Sequence, residues 1–182
     1  SISVVKGFYN LAAGTGVDAA RASSLLQTAM IQAINLGKMD YQNWKQLEMQ
    51  GMGGPKFKEA LIANAKAMVK NVDLSKSFNE SLRDGWATTD VLLATMRQFE
   101  TDKSLLSAAQ DVRTFTQLMS TALEAVGSGW ARSWEIIIGD FDEATTLWSG
   151  VWGAIEPIIK GIDAVRNGFL MLFKEANAYK AL

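Results

Sequence analysis

Cysteine and histidine are both absent from this chain of 182 residues. Without cysteine there is no disulfide, no thiolate metal site and no cysteine nucleophile, and the redox compartment stays undetermined. Without histidine the commonest metal ligand and the commonest general base are missing. Ordinary enzymology is therefore not expected, and no catalytic residue, metal site or cofactor is assigned. An excess of charge is missing too, since 18 basic residues face 19 acidic ones. So balanced a chain shows no electrostatic footprint for a phosphate backbone, and a nucleic-acid partner, sequence-specific or otherwise, is not expected. Long apolar runs are also lacking. The most apolar stretch, Leu147 to Phe173, is broken by Glu156, Lys160, Asp163 and Arg166, well short of the roughly 18 apolar residues a spanning helix needs. The opening segment, SISVVKGFYNLAAGTG, has no initiating methionine and neither the charged n-region nor the small-residue cleavage pattern of a signal peptide, so the expectation is a piece of a longer protein.

What is present is helix. Apolar residues recur at three and four rather than at two, and capping residues stand where helices would begin. Asp18 is placed to cap a helix through Asn35 with Leu25, Ala29, Gln32 and Leu36 on one side and Gly37 at its end. Asp40 is placed to cap YQNWKQLEMQ. The loop GMGGP follows, in which Gly51, Gly53 and Gly54 give permissive backbone and Pro55 suits the first turn of PKFKEALIANAKAMVKN. Ser77 to Asp84 reads as a short helix closed by Gly85, and Thr88 or Thr89 as the cap of DVLLATMRQFE. Ser104 or Ser107 reads as the start of a longer helix to about Val126, with GSG at 127–129 as punctuation.

From Trp130 the pattern is more regular. Alternate steps of four and three visit Trp130, Trp134, Ile137, Phe141, Ala144, Trp148, Val151, Ile155, Ile158, Ile162, Val165, Phe169, Leu172, Ala176 and Tyr179, none of them charged. A seven-residue repeat held for about seven heptads predicts a long helix that packs on partner helices, roughly 75 Å if continuous. Tryptophans fit a two-stranded seam poorly, so three or more strands, or a seam packed against a separate partner, are favoured. Pro157 predicts a kink or break near it, and glycines such as Gly139 and Gly150 each cost about 1 kcal/mol relative to alanine. The expected fold is all-α and extended, with helical hairpins over 1–127 and a long, kinked, oligomerising helix over 128–182. The expected association surface comprises the seam positions from Trp130 to Leu172, and the expected hinge or loop positions are Gly51, Gly53, Gly54, Pro55 and Pro157.

Candidate chemical sites are weak beside simpler readings. The acids Asp140, Asp142 and Glu143 suggest calcium, but a loop begun at Asp140 has Thr145 where glycine is needed and Val151 where glutamate is needed. They read as a solvated face near a helix N-terminus. GTGVDA at 14–19 imitates a dinucleotide fingerprint with no strand before it, so a capped turn is expected. Glu48 with Glu59, and Asp84 with Asp90, have no spacing that identifies an acid–base pair. Met30, Met39, Met49, Met52 and Met68 read as core filler more readily than as a partner surface. The stripe of Trp130, Trp134, Trp148 and Trp152 is too large for a lone helix to expose, and reads equally as internal core or intermolecular seam.

In the segments FYNLAAGTGVDAARASSLLQTAMIQAINLGKMDYQNWKQLEMQGMGG, KFKEALIANA, SFNESLRDGWATTDVLLATMRQF and VRTFTQLMSTALEAVGSGWARSWEIIIGDFDEATTLW, the chain resembles the tape measure proteins of long-tailed bacteriophages. The resemblance runs from about Phe8 to Trp148 with the motifs in order. The glycine loop and W-x3-W followed by GDFDEA are its most specific parts. It implies a mostly helical ruler that sets tail length, assembles on the tail-tip initiator complex with the distal tail and hub proteins, and is enclosed by tail tube protein. It further implies residence in the virion tail after assembly in the host cytoplasm, and expulsion ahead of the genome. Members of that family are far longer, so one region of a ruler is expected, self-associating as a homotrimer. A different class of function is a membrane-active helix, with the Trp- and Phe-rich segment 148–173 making transient membrane contact during genome delivery. An enzyme such as a cell-wall lytic module ranks last.

Overall fold

The structure is a computed structural model that describes residues 2–100, 121, 124, 125 and 128–139. The described residues are helical, with no named strand and one antiparallel bridge, Lys38 to Thr88. Helix α1 spans Ile2–Gly14, and α2, Ala19–Leu25, runs through a π turn, Leu26–Met30, into α3, Ile31–Leu36. Then come α4, Tyr41–Met49, and α5, Pro55–Met68. The short α6, Phe78–Ser81, continues in a 3-10 turn, Leu82–Asp84. Helix α7, Thr89–Gln98, and α8, Ala131–Ile138, complete the set among the described residues.

Local chemistry sets the ends of these helices. Asp18 Oδ1 accepts from the Arg21 amide at 2.8 Å and Asp40 Oδ1 from the Asn43 amide at 2.9 Å. Ser77 and Thr88 hydroxyls accept from the Glu80 and Val91 amides at 3.3 Å. Each satisfies an amide that the first turn leaves without a partner. Thr88, not Thr89, is the cap of α7. At the other ends Gly37, with φ 89°, and Gly85, with φ 76°, take the left-handed conformation that closes a helix. Pro55 stands in the first turn of α5, where a missing amide hydrogen costs nothing.

The helix expected from Asp18 onward is present, but its core face differs from the expected stripe. Leu25 and Ala29 are buried, whereas Gln32 and Leu36 are exposed and Ile31, Ala33 and Ile34 take the inner positions. The π turn explains the change. It accommodates one extra residue, and one residue is about 100° of helix rotation.

The N-terminal segment, to which no particular role was assigned from sequence, forms a central helix. Val4, Val5, Phe8, Leu11 and Ala12 of α1 are buried, and α1 packs on α2, α7 and α8. Gly7 lets it come close: a Cβ there would lie 1.6 Å from the Met96 carbonyl oxygen of α7. The Asn10 side-chain amide donates to the Phe99 carbonyl at 2.7 Å, which satisfies an acceptor left free at the end of α7. Helix α5 packs on the same helix, and Asn64 Nδ2 donates to Thr95 Oγ1 at 3.0 Å.

An aromatic cluster ties α4, α5 and α6 to the segment before α7. The Trp44 ring meets Phe57 edge-on at 5.2 Å and Phe78 at 4.7 Å, and Phe78 meets Trp86 at 5.6 Å. Both indole N–H groups are satisfied, Trp44 by Glu48 at 3.2 Å and Trp86 by Ser81 at 3.1 Å, as buried tryptophans require. The glycine loop folds back on the end of α4. Met52 is fully buried and its amide donates to the Leu47 carbonyl at 2.9 Å. Gly51 has φ 96°, and a Cβ on Gly53 would sit 2.8 Å from Glu48 Cα. Of the loop's glycines, Gly51 thus serves left-handed backbone and Gly53 close approach.

Helix α8 falls at the start of the expected long helix, of which residues 128–139 are described. It ends at Gly139, whose φ of 86° and ψ of −169° belong to a region that essentially only glycine reaches. It also joins the core of the preceding helices, packing on α1 and α3, so residues 128–139 share a core with the region expected over 1–127. The remainder of the expected helix, Pro157 included, lies outside the described residues.

Candidate association surface

Among the chemical candidates, Glu48 and Asp84 have side-chain partners, and Glu59 is exposed. Glu48 accepts from Trp44 and lies 3.9 Å from Lys58 Nζ, which itself sits 5.3 Å above the Phe78 ring. Asp84 pairs with Lys76 at 3.1 Å, and Asp90 stands exposed in the first turn of α7. No group of three or more potential metal-ligating side chains occurs among the described residues. GTGVDA forms the turn between α1 and α2, with Gly16 at φ 81° and Asp18 as the cap. The Asp73 carboxyl is held below the ordinary carboxylate range by hydrogen bonds from the Ser75 hydroxyl and amide. That pair forms an exposed Asx turn, and its hydrogen bonds are the main cause of the shift.

The apolar candidates divide into two groups. Met30, Met39 and Met52 are fully buried, and Met49 and Met68 are 73% and 50% exposed. Of the expected seam positions, Trp134 is 6% exposed and Ile137 is fully buried, so both are covered by their own chain. Trp130 remains 41% exposed. It stands at an open groove of about 330 Å³ lined by Gln27, Ile31, Gln32, Glu124, Trp130 and Trp134. The groove brings α8 and the turn before it against the π turn and α3, and pairs two indoles with two side-chain amides and one carboxylate.

The other seam positions, Phe141, Trp148, Val151, Ile155, Ile158, Ile162, Val165, Phe169 and Leu172, lie outside the described residues, as do Asp140, Asp142 and Glu143. No helix among the described residues is long and apolar enough to cross a membrane; the segment 148–173 is not among them. Sequence reasoning missed the part α1 plays in seating α8. The signal was available, since Val4, Val5, Phe8, Leu11 and Ala12 follow the helical spacing that marks an inward face. The contact between the Ser133 hydroxyl and Asn35 Oδ1, at 3.4 Å and across 98 residues of sequence, has no local signal. Searches against profiles of known protein families, curated proteins and solved structures found no match to this chain.

Proposed function

We propose that this chain is a region of a bacteriophage tape measure protein, a helical structural component of the tail whose C-terminal part associates with other copies. The observation that carries the reading is where the resembling segments fall in the fold. In GKMDYQNWKQLEMQGMGG they include the left-handed Gly37, the cap Asp40, the buried Trp44 and Met52, and the close-packed Gly53. In SFNESLRDGWATTDVLLATM they include the caps Ser77 and Thr88, the left-handed Gly85, and the buried Trp86, Val91 and Leu92. Residues that set turns and core are the ones a shared fold keeps, and solvated positions would have been weaker support.

Under this reading the helical module over α1 to α8 is an assembly piece. Its partners are further copies of the chain, favoured as three, together with tail tube, distal tail and hub proteins, and its place is the tail lumen or tip of the virion. The tryptophan at the groove edge and the uncharged seam of the sequence beyond it supply the contact. The test is genetic. Placing Gly7→Trp, which wedges an indole against the α7 backbone, into the encoding phage is expected to yield particles lacking tails or carrying tails of altered length in electron micrographs. Tails of normal number and length would sink the reading.

A further inference from the structure

We infer that a pocket of about 340 Å³ between the start of α4 and the 3-10 turn after α6 is a binding site for an oxyanion, a phosphate or carboxylate group carried on a small molecule. Lys38, Asp40, Tyr41, Gln42, Leu82 and Arg83 line it. Neither of its two cations, Lys38 and Arg83, forms an ion pair among the described residues. A third cation stands close, since Lys45 Nζ lies 5.9 Å over the Tyr41 ring. The neighbouring acids are engaged elsewhere. Asp40, the acid of the lining, accepts from the Asn43 amide at 2.9 Å through Oδ1. Asp84, which follows Arg83 in sequence, receives Lys76 Nζ on both oxygens at 3.1 and 3.2 Å. The chain as a whole carries a net charge of −1, so the positive excess here comes from placement and not from composition.

The fold brings the two cations together and fixes the backbone beneath them. Around Lys38 the Met39 amide donates to the Ala87 carbonyl at 2.7 Å and the Thr89 amide to the Gly37 carbonyl at 3.2 Å. The Lys38 side chain is half-buried and crosses Gly85, where a Cβ would lie 3.6 Å from its Cδ and 4.0 Å from its Nζ. Gly85, left-handed, closes the 3-10 turn that carries Arg83, and Leu82 of the same turn is fully buried. Cations seated on anchored backbone lose less freedom when they close on a ligand. The guanidinium offers a planar fork that matches two oxygens of one anion, and the ammonium a compact charge. The Tyr41 hydroxyl and the Gln42 side-chain amide add uncharged donors. The volume stands at the small end of ligand sites, about 300–1,000 Å³, so the anion is a compact one.

Backbone amide shifts of the full chain, followed by NMR, test the site in titrations with sodium phosphate and with sodium acetate, against sodium chloride at matched ionic strength. Saturable shifts at Gln42 and Gly85 are expected with at least one of the two oxyanions, and the tighter of them tells phosphate from carboxylate chemistry. Arg83 is exposed, so Arg83→Gln removes its charge without opening the core and is expected to raise the dissociation constant about tenfold. Lys38→Gln should do the same. Lys66→Gln, at an exposed position on α5 outside the pocket lining, should leave it unchanged. Shifts that do not saturate, shifts that chloride reproduces, or equal affinity of Arg83→Gln and the wild type overturn the site. Weakening by Lys66→Gln as large as that by Arg83→Gln overturns it too, because net charge alone would then be responsible.

Discussion

Gly7 shows how a single missing side chain sets the position of a helix. In an ordinary exposed helix, Gly→Ala stabilises by about 1 kcal/mol, because the chain loses less freedom on folding. At position 7 the Cβ would stand 1.6 Å from a backbone carbonyl oxygen of α7, and backbone cannot rotate away as a side-chain tip can. Overpacking against fixed atoms costs about 1–3 kcal/mol and sometimes more, so the steric term wins. Gly7→Ala is expected to destabilise by about 2 kcal/mol or more, read as a lower urea midpoint; a midpoint at or above the wild-type value would show that α1 does not approach α7 this closely. Nothing in the local sequence signals the contact. A glycine inside an apolar helix reads as a cost until the partner backbone is seen.

At the scale of elements the caps were legible and the rotation of faces was not. Asp18, Asp40, Ser77 and Thr88 act on amides three residues away, which is why a reading of neighbours finds them. The π turn in the second helical stretch is different, since it holds because both halves face buried partners. Leu26, Ala29 and Met30 within it are inward, and Thr28 is exposed. Deleting Thr28 would restore ordinary helical pitch at no cost in buried side chain. It would also turn Ile31, Ala33 and Ile34 by about 100° away from the core. Burying two isoleucine side chains contributes roughly 3–6 kcal/mol, more than a regular turn regains. The deletion should therefore broaden and lower the thermal transition followed by circular dichroism. A sharper or higher transition would mean that the bulge is strain and not register.

At the scale of the whole molecule the decisive contact joins residues far apart in sequence. Trp134 sits in the core beside helices more than ninety-five residues earlier. Truncating a buried tryptophan costs about 3–5 kcal/mol, so Trp134→Ala should lower the denaturant midpoint of the full chain by a corresponding amount, whereas Trp130→Ala, at a half-exposed position, should change it little. Equal effects of the two substitutions would contradict their placement. By itself the sequence determined the helical class, the caps, the glycine stops and the proline start of α5. Each depends on a residue's own backbone preference or on hydrogen bonds a few residues long. It also determined the absence of thiol and imidazole chemistry, which is a matter of composition alone. Only the tertiary structure decided which face of α3 is inner, why Gly7 and Gly53 must be bare, and that Trp134 and Ile137 are covered by α1 and α3. Those outcomes depend on close packing between distant segments, where a face marked apolar by sequence is compatible with many partners until one of them occupies it.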